Sequence, residues 1–243
     1  MLKKALGIIV LIMIMIGVGG CMKAEAKKEI IRYNLEEKKE IVLGYLKEKY
    51  NEEFVIRSMV GANWSQSHDE FYAYPKSGTE EDIFAIWFYP RDDGTWIASD
   101  GYFAVIIKDE YEEVMNGFVK DIYSDYKLYV SFGSKGLVYP QRLNKDTTMS
   151  EIYKEGEEKG LDSDTTVLVK ESAAKGIDTD ESLKKIAEKM KEHKLVGKII
   201  IYLIYDEKFD QATYSSFDTD KDVLEGSRRY IYSDPKYGIS EVR

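Results

Sequence analysis

One cysteine, two histidines and no recognisable catalytic motif in 243 residues remove most reaction chemistries from this chain. A lone Cys21 permits no intrachain disulfide and no zinc or iron–sulfur site built on several thiolates. Of the histidines, His193 falls at the end of an expected helix, where a positive ring meets the carbonyl end of the dipole. His68 lies in Trp64-Ser65-Gln66-Ser67-His68-Asp69-Glu70, which brings hydroxyls, carboxylates and an imidazole together, the ingredients of a nucleophile and its base. Catalytic partners must converge in space, and residues this close in one loop seldom do, so a polar loop is expected there. Gly-x-Gly-x-x-Gly, Walker, Gly-x-Ser-x-Gly and His-Glu-x-x-His patterns are all absent. There is no basic excess either: 44 acidic against 35 basic side chains give a net charge of −9. A surface that acidic repels nucleic acid and anionic lipid headgroups, and no basic stripe offsets it, so no nucleic-acid partner is expected.

Carboxylates are the one abundant chemical resource. A glycosidase-type acid–base pair needs only two of them at a suitable separation, but spacing along the chain cannot select two from 44. Asp92, Asp93 and Asp100 flank one hairpin, where turn chemistry accounts for the first two and solvation for the third. Asp218-Thr219-Asp220-Lys221-Asp222 resembles the opening of a calcium-binding loop. Val223 stands where that turn needs Gly, and Arg229 where the bidentate Glu belongs, so a solvated acidic loop is expected. No metal and no cofactor is expected anywhere in the chain.

At the amino terminus the composition changes character. Lys3 and Lys4 precede an apolar run from Ala5 to Val18, which falls short of the ~20 residues of a membrane span but suits the core of a signal peptide. Val18-Gly19-Gly20-Cys21 follows. Basic start, apolar core, small residues and cysteine in this order resemble the lipobox of a bacterial lipoprotein. The resemblance covers residues 1 to 21 alone. It implies cleavage before Cys21, with Val18, Gly19 and Gly20 as the cleavage-site residues, and a thioether from Cys21 to diacylglycerol. It also implies residence on the extracytoplasmic face of a cell membrane, with the bilayer as a partner through the acylated Cys21. A sulfur so used is no longer a reagent. Lys23, Lys27 and Lys28 follow directly and read as a solvated tether.

The expected organisation is a signal peptide at 1–20, lipidated Cys21 and tether at 21–34, an α+β lobe at 35–132 and a second α/β lobe at 133–243 that continues the first or stands apart. Three- and four-residue spacing of Ile41, Val42, Tyr45 and Leu46 predicts a helix over 35–50, stopped at Tyr50-Asn51. Strands are expected at 53–60, 70–74, 82–89, 95–98 and 102–107, with Arg91-Asp92-Asp93-Gly94 as a hairpin turn. A helix is expected at 109–126 with Asp109 as its cap, and a strand at 128–132. Gly133-Ser134-Lys135-Gly136 and Pro140 mark a loop. Beyond it come a weak helix at 151–159, a strand at 165–170, a helix at 180–194 capped by Asp178 with Glu181 in capping-box position, and strands at 198–205 and 229–233. The fold class is therefore α+β, helices packed on a mainly antiparallel sheet, with a strand–helix–strand unit in the C-terminal half that allows a parallel pair.

Aromatics are plentiful, and 19 Tyr outnumber 9 Phe. Tyr joins an apolar ring to a polar tip and serves both half-buried sheet faces and wet contact surfaces. Trp64, Tyr72, Tyr74 and Trp96 are the expected contact residues, and Trp87 reads as core. Together these features favour a membrane-anchored binding or interaction module of the cell envelope that is not an enzyme, with a protein, peptide or envelope glycan as partner. A carboxylate-based envelope hydrolase and a solute-binding lipoprotein are the alternatives.

Overall fold

A computed structural model describes residues 32–133, 137–157 and 161–243. The expected signal peptide, Cys21 and most of the expected tether lie outside these residues, as do Ser134, Lys135, Gly136, Glu158, Lys159 and Gly160.

Helix α1 (Leu35–Tyr50) begins at Asn34, whose side chain accepts from the Glu37 amide (3.0 Å) while the Glu37 carboxylate accepts from the Asn34 amide (2.7 Å). This reciprocal cap, acids in the first turn and lysines in the last all favour a helix here, and Asn51 ends it in the left-handed region (φ 53°). Its inner stripe of Val42, Leu46 and Tyr50 is buried on an antiparallel sheet of β1 (Phe54–Val60), β2 (Asp69–Pro75), β3 (Phe84–Pro90) and β4 (Trp96–Asp100), ordered β1-β2-β3-β4. Alternation sets the faces: Asp69, Phe71, Ala73 and Pro75 point under α1, while Glu70, Tyr72 and Tyr74 point away. Phe54, Phe71, Phe84, Phe88 and Tyr102 fill this core.

Two expectations fail at the next element. Tyr102–Ile107 is not a strand, and Asp109 caps nothing, because helix α2 runs from Tyr102 to Val119. The run Tyr-Phe-Ala-Val-Ile-Ile has strand propensity, but Phe103, Ile107, Tyr111, Met115 and Phe118 recur every three or four residues. Burial of that stripe outweighs the local preference. The helix starts at Gly101, where a side chain would overlap the Leu137 carbonyl. It also stops seven residues before the expected end, so that Tyr126 opens a strand instead.

Strand β5 (Tyr126–Ser131) leaves the first sheet and joins β6 (Asp162–Lys170), β7 (Val196–Ile204), β8 (Arg229–Asp234) and β9 (Gly238–Ile239) in a second, five-stranded sheet of order β5-β6-β7-β8-β9. β6 and β7 pair in parallel, joined through helix α3 (Thr179–Glu192), and the other pairs are antiparallel. The α+β class and the parallel unit are thus both present. Asp178 caps α3 by accepting from the Asp180 and Glu181 amides (2.9 and 3.1 Å), while the Glu181 carboxylate turns outward to Lys185 (2.7 Å). Helices α2 and α3 cover one face of this sheet. The other face is covered by the excursion that starts with α4 (Asp206–Phe209), through Phe209, Ala212, Phe217 and Val223. Lys127 holds that excursion down, its Nζ donating to the Phe209, Asp210 and Ala212 carbonyls (2.8–2.9 Å).

Helix α2 belongs to both cores: Tyr102, Val105 and Ile106 face the first, and Phe103, Ile107, Tyr111 and Met115 the second. Over the described part of the expected helix at 151–159 there is only a 3-10 turn, at Met149–Glu151; Glu158 and Lys159 are outside the described residues. Arg142 organises this segment instead, with a bidentate pair to Glu157 (2.6 Å) and bonds to the Glu151 and Ile152 carbonyls. Its guanidinium holds the Glu157 carboxyl below the usual range. Tyr33–Pro90 and Trp96–Arg243 form one unit; the turn Arg91–Thr95 falls outside it and closes on itself through Gly94 N to Arg91 O (3.0 Å) and a left-handed Gly94 (φ 82°).

Candidate functional site

The face of the first sheet turned away from α1 is an aromatic platform. Cross-strand register places Val55 opposite Tyr74, Ser58 opposite Tyr72, Tyr72 opposite Ala85, Glu70 opposite Trp87 and Tyr89 opposite Ile97. Tyr72, Tyr74, Trp87 and Tyr89 are all half-buried. His68 completes the row, its ring 4.6 Å from that of Trp87 and 5.1 Å from that of Tyr89. Burial and the neighbouring Glu70 raise the Tyr72 phenol above its ordinary value.

The expected contact residues divide among three places. Tyr72 and Tyr74 share this platform. Trp96 lies on the opposite face, against Tyr45 and Phe88 (6.2 and 6.0 Å between rings). Trp64 occupies the tip of the β1–β2 hairpin, 98% exposed. Trp87, read as core, belongs to the platform. Sequence reasoning missed Trp87 and Tyr89 as surface residues because Asp82–Tyr89 is apolar at nearly every position, and it read His68 as part of a polar loop; the signal was the parity of Trp87 and Tyr89 against Tyr72 in the paired strand.

The carboxylates have structural partners. Asp100, read as solvated, is 1% exposed and accepts four hydrogen bonds. Oδ1 takes the Tyr50 hydroxyl (2.6 Å) and the Tyr102 amide (3.0 Å), and Oδ2 takes the Tyr45 hydroxyl (2.6 Å) and Lys49 Nζ (2.7 Å). Burial, followed by the Asp100 charge, pushes both phenols far above their ordinary range. Asp69, also buried, pairs with Lys38 (2.6 Å) and accepts from the Ala62 amide (2.9 Å). These two anchors fasten both ends of α1 to the sheet.

On the second sheet, Asp164 pairs with Lys198 (3.0 Å), Asp162 accepts from the Tyr232 hydroxyl (3.2 Å), and Asp234 accepts the Lys236 and Tyr237 amides of its own turn. Burial raises the Asp162 carboxyl. In the acidic loop, Asp218 binds Lys221 (2.8 Å) and the Asp220 amide, while Asp222 accepts from the Asp218 amide, so these carboxylates close their own turn. Among the described residues no group of three or more His, Cys, Asp or Glu is placed to hold a metal ion. A cleft of about 560 Å³ beside this loop is bounded by Tyr202, Tyr205, Asp220, Glu225 and Arg228. Among the described residues no helix is long and apolar enough to cross a membrane.

No protein-family model matches the chain, and a search of curated proteins finds no match. Among solved structures, the chain is similar to a DUF5037 family protein from Ruminococcus gnavus, with a TM-score of 0.43 and 15% identity over 82% of this chain and 93% of that one.

Proposed function

We propose that this chain is a bacterial lipoprotein, held on the extracytoplasmic face of a cell membrane through acylated Cys21, and that its body is a non-catalytic interaction module. The observation that carries this reading is the ordered sequence Lys3-Lys4, the apolar run Ala5 to Val18, and Val18-Gly19-Gly20-Cys21. Two acyl chains on one sulfur give firm attachment, since each buried methylene contributes ~0.8 kcal/mol where a single chain is marginal. A binding role is supported by the aromatic platform of His68, Tyr72, Tyr74, Trp87 and Tyr89, which offers half-buried rings beside the Glu70 carboxylate and the Ser99 hydroxyl on the sheet face turned away from α1. Such a surface suits a protein, peptide or glycan partner. The two buried carboxylates in the first lobe support it as well, because both are neutralised by lysines that position α1.

The test is metabolic labelling with a radioactive fatty acid in the source bacterium or a bacterial host. Wild-type protein is expected to take up label and Cys21→Ala to take up none. An unlabelled wild type, or label that persists in Cys21→Ala, would overturn the reading.

A further inference from the structure

The exposed apolar side chains of the first lobe gather at one end of its sheet, the end where the chain arrives from the tether. Tyr33, just before α1, packs edge-on against Phe88 (6.4 Å), and Lys38 in the first turns of α1 binds Asp69 (2.6 Å), so the start of α1 lies over the row Asp69–Phe88–Ala98. The β1–β2 hairpin projects from that same row, since Asp69 Oδ1 accepts from the Ala62 amide. Of the eight exposed large apolar residues among the described residues, five sit here: Leu35 at the start of α1, Val60 and Trp64 on the hairpin, and Trp96 and Ile97 at the start of β4.

The hairpin is built for a dry neighbour. Residues 61–68 (Gly-Ala-Asn-Trp-Ser-Gln-Ser-His) carry no Asp, Glu, Lys or Arg in a chain that is 33% charged. Several of its polar groups bond within the turn: the Asn63 and Gln66 amides donate to each other's carbonyls (2.9 and 3.2 Å), Asn63 Oδ1 accepts from the Ser65 amide and hydroxyl, and Gln66 Nε2 donates to the His68 carbonyl. These groups keep their partners when the tip leaves water, and Trp64 there is the side chain that favours the headgroup boundary of a bilayer.

The occupant of this surface follows from the tether. From Cys21 to Asn34 the chain spans at most about 45 Å, and it meets the body at this end. We infer that this end of the four-stranded sheet rests on the bilayer that carries the acylated Cys21, with Trp64 seated among the headgroups, so that the domain has a second membrane contact and a fixed orientation. This rests on the lipoprotein reading.

The test uses full-chain protein purified from membranes and reconstituted into phosphatidylglycerol–phosphatidylethanolamine vesicles containing lipid brominated high on its acyl chains. Its amino-terminal mass is measured in the same preparation. Bromine is expected to quench part of the tryptophan emission of the wild type, and Trp64→Phe is expected to lose most of that quenched part, leaving a small share from Trp96 at the start of β4 and the unquenched emission of Trp87. A modified Cys21 with equal quenching in wild type and Trp64→Phe overturns this inference and leaves the lipid anchor standing. An unmodified Cys21 overturns both. Unquenched Trp64 in a protein whose wild type, unlike Trp64→Ser, doubles its mass in solution assigns the surface to a second copy and also overturns the inference.

Discussion

Replacement of Asp100 by Ala is expected to destabilise the fold by about 3–5 kcal/mol, because it removes the common acceptor of four donors and leaves the Lys49 charge and the Tyr45 and Tyr50 hydroxyls without their partner. For a chain of this length that corresponds to a fall in Tm of roughly 6–20 °C. Asp100→Asn keeps the shape and one acceptor oxygen but loses the charge, and it should fall between Ala and wild type. Thermal unfolding followed by circular dichroism checks the series. The loss has a location as well as a size: Asp100 holds the second half of α1, so hydrogen exchange in residues 42–50 should accelerate before exchange in the five-stranded sheet does. A loss below about 1 kcal/mol in Asp100→Ala would mean that the four bonds contribute almost nothing net.

Gly197→Ala is expected to cost about 2–5 kcal/mol. Gly197 pairs with Ser163 in the parallel β6–β7 ladder, and it has φ 154°. A methyl group there would overlap the Ser163 carbonyl and hydroxyl, and both belong to buried structure: Ser163 Oγ bonds to the Tyr111 hydroxyl (2.8 Å) and the Val196 carbonyl (3.2 Å). Relief requires the two central strands to separate or the hydroxyl pair to break, combining overpacking with backbone strain. Urea unfolding should show a lower midpoint with an unchanged slope. An unchanged midpoint would show that the ladder gives way without resistance at this position.

The parts of the fold that could be read from the chain are those in which local pattern and burial agree. Leu35–Tyr50 has its cap, its charge order and its apolar stripe in register, and its bounds match the expectation. Tyr102–Ile107 shows the opposite case, where β-branched and aromatic residues describe a strand locally while their continuation through Tyr111, Met115 and Phe118 describes a helix that two cores share. Local propensity is the weaker influence there, and nothing within six residues reveals it. The place of Tyr126–Ser131 in the second sheet was hidden for a related reason, because strand pairing is a long-range contact with Val169–Asp164 that periodicity does not record.

The candidate site was legible in part. Tyr72 and Tyr74 declare their face by alternation with Phe71 and Ala73. Trp96 was assigned by residue type and stands on the other face, one position out of phase with Ile97. Asp100 reads as a solvated carboxylate beside the hairpin of Asp92 and Asp93. Its partners are Tyr45, Lys49 and Tyr50, about 50 residues upstream, which no local motif connects to it. The exposed apolar end of the sheet likewise emerges only when α1, the hairpin and β4 are brought together, since Leu35, Val60, Trp64 and Ile97 are scattered singly along the chain.

The proposed membrane anchor is a single bond at the Cys21 sulfur. Mass spectrometry of the amino-terminal peptide of protein isolated from its own membrane should find a chain that starts at Cys21 and carries a diacylglyceryl thioether. A peptide that retains Met1 to Gly20 and a free Cys21 thiol would contradict it.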